Sequence, residues 1–177
     1  EKAKTLTVID HGVGMSKEEV EKYITQIAFS GAEEFVEKYK GKSELEANSL
    51  IGHFGLGFFS SFMVSDLVEI RTKSYKDTPG VHWTCDGSTD YTIEECDKSE
   101  RGTEVIMHID EASSEFLQES KILELLNKYC KFMPVAIRFG QESVWEDSET
   151  EKDDKGNPKR VEKKKDRIIN DTNPLWK

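Results

Sequence analysis

Apolar and polar positions change period several times along the chain, and each change predicts an element. Thr5-Leu6-Thr7-Val8-Ile9 predicts a buried strand over residues 4–9 that stops at Asp10. Ser16 with Glu19 three residues on has the form of a capping box, and Val20, Tyr23, Ile24 and Ile27 follow at helical spacing. Ser30-Gly31 interrupts that helix, and Ala32 to Tyr39 predicts a second short one with Phe35, Val36 and Tyr39 on one side. Residues 41–49 are small, polar and charged, the composition of a mobile loop. Phe58 to Val64 is apolar and of helical length. From Leu67 the period drops to two. Short strands are expected over 67–72, 81–85, 91–93 and 103–109, split by turns such as Pro79-Gly80 and Asp86-Gly87, which together make an antiparallel meander. A helix over 119–132, with Cys130 on its apolar side as a core residue, and a strand over 135–139 follow.

The remaining residues are patterned by charge. Glu146 to Asp154 is largely acidic, Lys159 to Arg167 largely basic, and Lys155-Gly156-Asn157-Pro158 reads as a turn. Two readings stand: a long hairpin whose opposite charges face each other, at about 0.2–1 kcal/mol per cross-strand pair, or a disordered charged linker.

Composition narrows the class. The chain has 177 residues, 36% hydrophobic and 34% charged, enough for one domain or one domain with a tail. A formal net charge of −10 argues against a general nucleic-acid binder. No apolar run is long enough to span a membrane, and no signal peptide is expected. Cys85, Cys96 and Cys130 have neither zinc-site nor disulfide-framework spacing, which fits a reducing, cytoplasmic compartment. The four histidines, His11, His53, His82 and His108, are too scattered to suggest a metal-ligand set. A chain that starts at Glu1 and runs at once into a strand is expected to continue upstream. Asn173-Pro174-Leu175-Trp176 suggests a further domain downstream.

Two glycine clusters carry the candidate chemistry: Asp10-His11-Gly12-Val13-Gly14-Met15, and Gly52-His53-Phe54-Gly55-Leu56-Gly57-Phe58-Phe59. Glycine is costly in regular structure, so clusters at the ends of apolar runs mark sharp turns or close backbone approach. A glycine loop opening a helix offers N–H groups to phosphate. Asp10, at the end of a buried strand, either accepts a hydrogen bond from an adenine amine or initiates a turn by bonding its own backbone. Gly12 and Gly14 would let backbone lie flat against a base, and Met15 is either a soft wall for it or core. Gly52, Gly55 and Gly57 would bring amides to the phosphates. Phe58 would close over the nucleotide, while Phe59, Phe62 and Met63 pack the core. Thr103 either places a hydroxyl near the base or is an ordinary strand former. The second cluster lacks the Lys-Ser or Lys-Thr of a Walker A loop and lies outside any βαβ unit. The glycine hinge, short helix and loop between the clusters form either a lid or a plain surface hairpin.

Asp-x-Gly-x-Gly-Met, Ser-Gly-x-x-x-Phe, Ile-Gly-x-Phe-Gly-x-Gly-Phe, Arg-Gly-Thr and Asn-Pro-Leu-Trp together resemble the N-terminal ATP-binding domain of the heat-shock protein 90 chaperones, its bacterial branch in particular. The double glycine signature alone resembles a wider superfamily that includes gyrase B, MutL and sensor histidine kinases. Ser30-Gly31 and Asn173-Pro174-Leu175-Trp176 narrow it to the chaperones. The resemblance implies an α+β fold, a two-layer α/β sandwich of the Bergerat type. A mostly antiparallel sheet carries helices on one face, and the fold is truncated at its N-terminus. Residues 1–140 would be the ATP-binding domain, and 141–177 a hairpin or linker to a middle domain.

Carried over by position, Asp10 would bind the adenine amine, with Thr103 assisting through water. Gly12, Gly14 and Met15 would line the base. Gly52, His53, Phe54, Gly55, Leu56, Gly57 and Phe58 would wrap the phosphates of ATP or ADP. Ser30 and Gly31 would open the lid, Gly31 as its hinge. The implied function is that of an ATP-dependent chaperone acting on client proteins as a homodimer, joined through a C-terminal region, without nucleic-acid or membrane partners. A DNA-acting ATPase of the gyrase B or MutL type is the alternative.

Three residues depart from the family pattern. Phe29 stands where the family often has a phosphate-reaching lysine, and His11 and His53 replace the usual Asn or Thr and Gln. No catalytic or metal-binding residue is assigned within 1–177. The water-polarising glutamate and the asparagine that holds Mg²⁺ are expected upstream, so the chain by itself should hydrolyse ATP poorly. Apolar surface exposed by their helix's absence would favour association of chains.

Overall fold

The computed structural model describes residues 3–25, 57–152 and 158–173. The helix expected over 32–39, the loop over 41–49, and Ser30, Gly31 and Gly52 to Leu56 lie outside the described residues. The chain divides into two units, Glu1–Gln118 and Glu119–Lys177.

The first unit is built on a five-stranded antiparallel sheet of β1 (Thr5–Asp10), β2 (Ser65–Lys73), β3 (Gly80–Cys85), β4 (Tyr91–Cys96) and β5 (Gly102–Ile109), in the order β1-β5-β2-β3-β4. Every neighbouring pair is antiparallel, but only β2, β3 and β4 form the meander expected from the period-two runs: β5 crosses back to lie between β1 and β2 instead of beside β4. Register sorts the side chains into rows on one face. Leu6, Met107, Val68, Cys85 and Tyr91 form one row; Val8, Val105, Ile70, Trp83 and Ile93 the next; Asp10, Thr103, Thr72, Val81 and Glu95 the third. Directly paired residues share a face, and this is the core face: Val68, Ile70, Val81, Trp83 and Met107 are buried on it.

Two helical segments cover that face. Helix α1 (Lys17–Tyr23) starts with the expected capping box: the Ser16 amide donates to Glu19 Oε2 at 2.8 Å and the Glu19 amide to Ser16 Oγ at 3.4 Å. It buries Val20 completely in the core cluster. The apolar stretch after Gly57 is not an α-helix. It forms a six-residue 3-10 helix, Phe58–Met63. Ser60 and Ser61 donate to the carbonyls of Gly57 and Phe58, three residues back, which favours the tighter turn. Phe58 sets its edge on Trp83, with ring centroids 5.7 Å apart, and Phe62 packs beside it. Met63, expected in the core, is 79% exposed.

The expectation of a buried first strand is also corrected. β1 is an edge strand. Leu6 packs against the core, but Val8 and Ile9 are each 57% exposed and Asp10 is exposed, because nothing described covers their end of the sheet.

The second unit contains α2 (Glu119–Tyr129), β6 (Arg138–Lys152) and β7 (Pro158–Ile168), the strands paired antiparallel. The charged segment is therefore a hairpin, with Glu142 opposite Lys165 and Glu146 bridged to Lys165 and Lys163. Helix α2 stops at Tyr129 rather than residue 132 and leaves Cys130 only half-buried. Residues 135–137, expected as strand, are not one. The buried Asn170 side chain takes up their backbone: Oδ1 accepts from the Ile137 amide at 2.7 Å, and Nδ2 donates to the Met133 and Val135 carbonyls at 2.8 and 2.7 Å. A side chain that satisfies these groups removes the need for a strand partner.

Candidate functional site

Asp10 ends β1, and the chain turns at once. Its Oδ1 accepts a hydrogen bond from the Gly12 amide at 2.8 Å, the local turn that Asp-x-Gly sequences favour. Its carboxylate is exposed rather than desolvated. Across the sheet it stands opposite Thr103, which in turn stands opposite Thr72, so one row carries a carboxylate and two hydroxyls side by side.

The loop after Asp10 is pressed against the end of β2. The Tyr75 amide donates to the Val13 carbonyl at 2.7 Å, and the Met15 amide donates to Thr72 Oγ1 at 2.9 Å. Gly14, at φ +62°, lies between these bonds, and a β-carbon there would sit 1.8 Å from the Lys73 carbonyl oxygen. Its need for glycine thus has a cause within the fold: left-handed backbone in contact with a strand end. Gly102, at φ +119°, serves the same purpose on the other side, since a β-carbon there would lie 2.2 Å from the Asp10 carbonyl oxygen. That contact lets β5 begin directly beside Asp10.

The fold therefore brings Asp10, Gly12, Gly14, Met15 and Thr103 together at one end of β1, β5 and β2. Met15 is partly buried and packs against the core. Gly57 precedes the 3-10 helix, with open space where a β-carbon would go. Phe58 belongs to the core-facing aromatic group with Trp83 and Phe62. Ser30, Gly31, Gly52, His53, Phe54, Gly55 and Leu56 are outside the described residues.

Thr72 is the residue that sequence reading missed. It is fully buried and has three hydrogen-bonding neighbours: the Met15 amide, the Gly102 carbonyl at 3.2 Å and Thr103 Oγ1 at 3.1 Å. In the sequence it is one more β-branched residue in an alternating strand; only the register of β2 on β5 reveals its place.

Two further charged groups border these elements. Glu19 accepts from Lys76 Nζ at 2.7 Å, joining α1 to the segment after β2. Burial opposes ionisation of Glu19, but the hydrogen bonds from Lys76 and Ser16 outweigh it, and its carboxyl is held below the usual value. On the opposite face of the sheet, Glu69 accepts from His108 Nε2 at 2.6 Å and His82 Nε2 at 2.7 Å. Among the described residues no group of three His, Cys, Asp or Glu side chains could hold a metal ion.

Comparison with known proteins adds an independent finding. Residues 1–120 match the family described as histidine kinase-, DNA gyrase B-, and HSP90-like ATPase. Over 173 residues, 97% of this chain, the sequence is 53% identical to the "Chaperone protein HtpG" of Bacteroides thetaiotaomicron, covering 23% of that protein. It is 52% identical to the protein of the same name from Porphyromonas gingivalis, over 99% of this chain and 24% of that one. With that of Aliivibrio fischeri the identity is 39%, over 99% and 26%. The chain spans about a quarter of the length of these curated relatives. Its antiparallel sheet and few helices are consistent with a Bergerat-type α+β fold.

Proposed function

We propose a function that proceeds from one premise: the chain belongs to the histidine kinase-, DNA gyrase B- and HSP90-like ATPase family. On that premise it is the nucleotide-binding part of an ATP-dependent chaperone that assists the folding of client proteins. Its likeness to chaperone proteins over 97–99% of its length supports this reading. Residues 1–140 are the nucleotide-binding domain, and 141–177 lead toward a middle domain. The whole protein is a cytoplasmic homodimer joined through its C-terminal region. A net charge of −10 favours protein clients over nucleic acid. No helix among the described residues is long and apolar enough to cross a membrane.

The observation that carries the reading is the graded exposure of β1's core face toward Asp10. The core face of β1 passes from packed Leu6 to half-open Val8 to exposed Asp10, with Thr103 alongside. An apolar shelf ending in a carboxylate fits a purine whose exocyclic amine donates to Asp10. Thr103 assists through a bridging water, and Gly12, Gly14 and Met15 border the base. Ser30, Gly31 and residues 52–57, which include His53, Phe54 and Leu56, are proposed to bind the phosphates of ATP or ADP, while the Phe58 ring, expected to close over the nucleotide, packs instead against Trp83 and Phe62. Bound ATP supplies a cleavable γ-phosphate; the chain's own residues bind and orient it. Mg²⁺ would travel with the phosphates, which together with water supply most of its ligands. Neither its protein ligand nor a water-polarising glutamate is assigned to a residue of this chain.

Calorimetric titration with ATP and Mg²⁺ tests the reading. Saturable binding at one site, abolished or strongly weakened in Asp10→Asn, is expected. Absence of binding, or equal binding by the variant, would refute it.

A further inference from the structure

Thr72 has no role in the nucleotide contacts proposed above, yet it is the most completely bonded hydroxyl beside them. A threonine hydroxyl has one proton to donate and two lone pairs. Three groups lie within reach of Thr72 Oγ1: the Met15 amide at 2.9 Å, the Gly102 carbonyl at 3.2 Å and Thr103 Oγ1 at 3.1 Å. The Met15 amide can only donate, and the Gly102 carbonyl can only accept. The proton of Thr72 therefore goes to Gly102, one lone pair takes Met15, and the other takes the proton of Thr103. This assignment alone satisfies all three contacts. It also leaves Thr103 Oγ1 with its lone pairs turned away from Thr72, an acceptor beside Asp10.

We propose that Thr72 is a positioning residue of the nucleotide site, fixing the Met15 backbone on one side and the proton direction of the Thr103 hydroxyl on the other. The inference rests on the reading that adenine binds at Asp10. Thr72 itself is fully buried. It acts through two neighbours that belong to different strands and loops, Met15 before α1 and Thr103 at the start of β5. Gly14 between them is held against Lys73, the residue next to Thr72, so the base-lining loop and the base-reading hydroxyl take their position from one point of β2. With its proton committed to Thr72, Thr103 can hold a bridging water only by one of the water's hydrogens.

Thr72→Val keeps the shape and the β-branch but removes the hydroxyl; Thr72→Ser keeps the hydroxyl. ATP and ITP differ at the six-position of the purine, amine against carbonyl, so their affinity ratio reads the base contact apart from general loosening. In titrations of the full chain, Thr72→Val is expected to lower the preference for ATP over ITP about tenfold, the scale of one hydrogen bond. Thr72→Ser should restore it. The unsubstituted chain offers a second measurement in case the valine variant does not fold: the Met15 amide should exchange with solvent as slowly as the amides of β2. An unchanged ATP/ITP ratio in a folded Thr72→Val chain, or a fast-exchanging Met15 amide, would overturn the inference while leaving the nucleotide reading intact. No ATP binding by the unsubstituted chain would overturn both.

Discussion

Gly14 meets Lys73 so closely that a β-carbon on the glycine would lie 1.8 Å from the lysine's carbonyl oxygen. The contact joins the turn after the first strand to the end of the second, which is central to the sheet. Gly14→Ala faces both a left-handed φ of +62° and a backbone atom that has no room to move. The expected loss is about 2–5 kcal/mol in urea unfolding. Gly57→Ala is the control: open space surrounds the added methyl and its φ is −59°. Its stability should hold or rise by up to about 1 kcal/mol.

Asp10 has two separable tasks. Its Oδ1 holds the Gly12 amide, and its charge is proposed to hold the base. Asn retains an acceptor oxygen for the turn, whereas Ala does not. Thermal unfolding should therefore distinguish Ala from Asn, with Asp10→Asn within about 0.5 kcal/mol of the parent. Nucleotide titration should place both variants about tenfold to a hundredfold weaker. Separation of the two tasks fails if Asp10→Asn unfolds as readily as Asp10→Ala.

The capping box at α1 is self-contained. Ser16→Ala removes the acceptor for the Glu19 amide, and a loss of about 1 kcal/mol is expected from chemical unfolding. Ser16→Asn should recover most of it.

The sheet's outer face predicts a pH dependence. Burial disfavours the Glu69 carboxylate, yet hydrogen bonds from His108 and His82 overcome that, and its pKa falls below the ordinary 4.5. A carboxyl lowered on folding contributes stability above its unfolded pKa and loses it as pH falls through the folded value. Stability should therefore decline as the solution is acidified below about pH 4.5, and Glu69→Gln should flatten that limb and destabilise the neutral protein. An acid limb unchanged by the substitution would remove Glu69 as its cause. Glu19, lowered against burial by Lys76 and Ser16, acts in the same direction.

Elements with local causes were legible in the residues themselves. The capping box needs only Ser16 and Glu19, and the four later strands need only their alternation; each is where the pattern puts it. The misplaced features have distant causes. Residues 135–137 have strand-like composition, but Asn170, far along the chain, takes their backbone groups. Phe58 to Met63 has helical length, but two serines bonding back three residues tighten it into a 3-10 turn. Charge alternation left hairpin and linker equally open until pairing of Glu142 with Lys165 and Val144 with Lys163 was seen.

The site divides in the same way. Asp10, Gly12, Gly14 and Thr103 stand out in the sequence because a carboxylate, glycines and a hydroxyl fall at the ends of strand-like runs. Chain order contains the family signature and the alternation of strands, since both depend on near neighbours. It does not contain the partner of Gly14, the exposure of Val8 or the buried place of Thr72 beside Met15 and Thr103. Those depend on which strands lie side by side and in what register, and register is set by the whole core face at once: a slip of one residue would turn Thr72 away from both Met15 and Thr103.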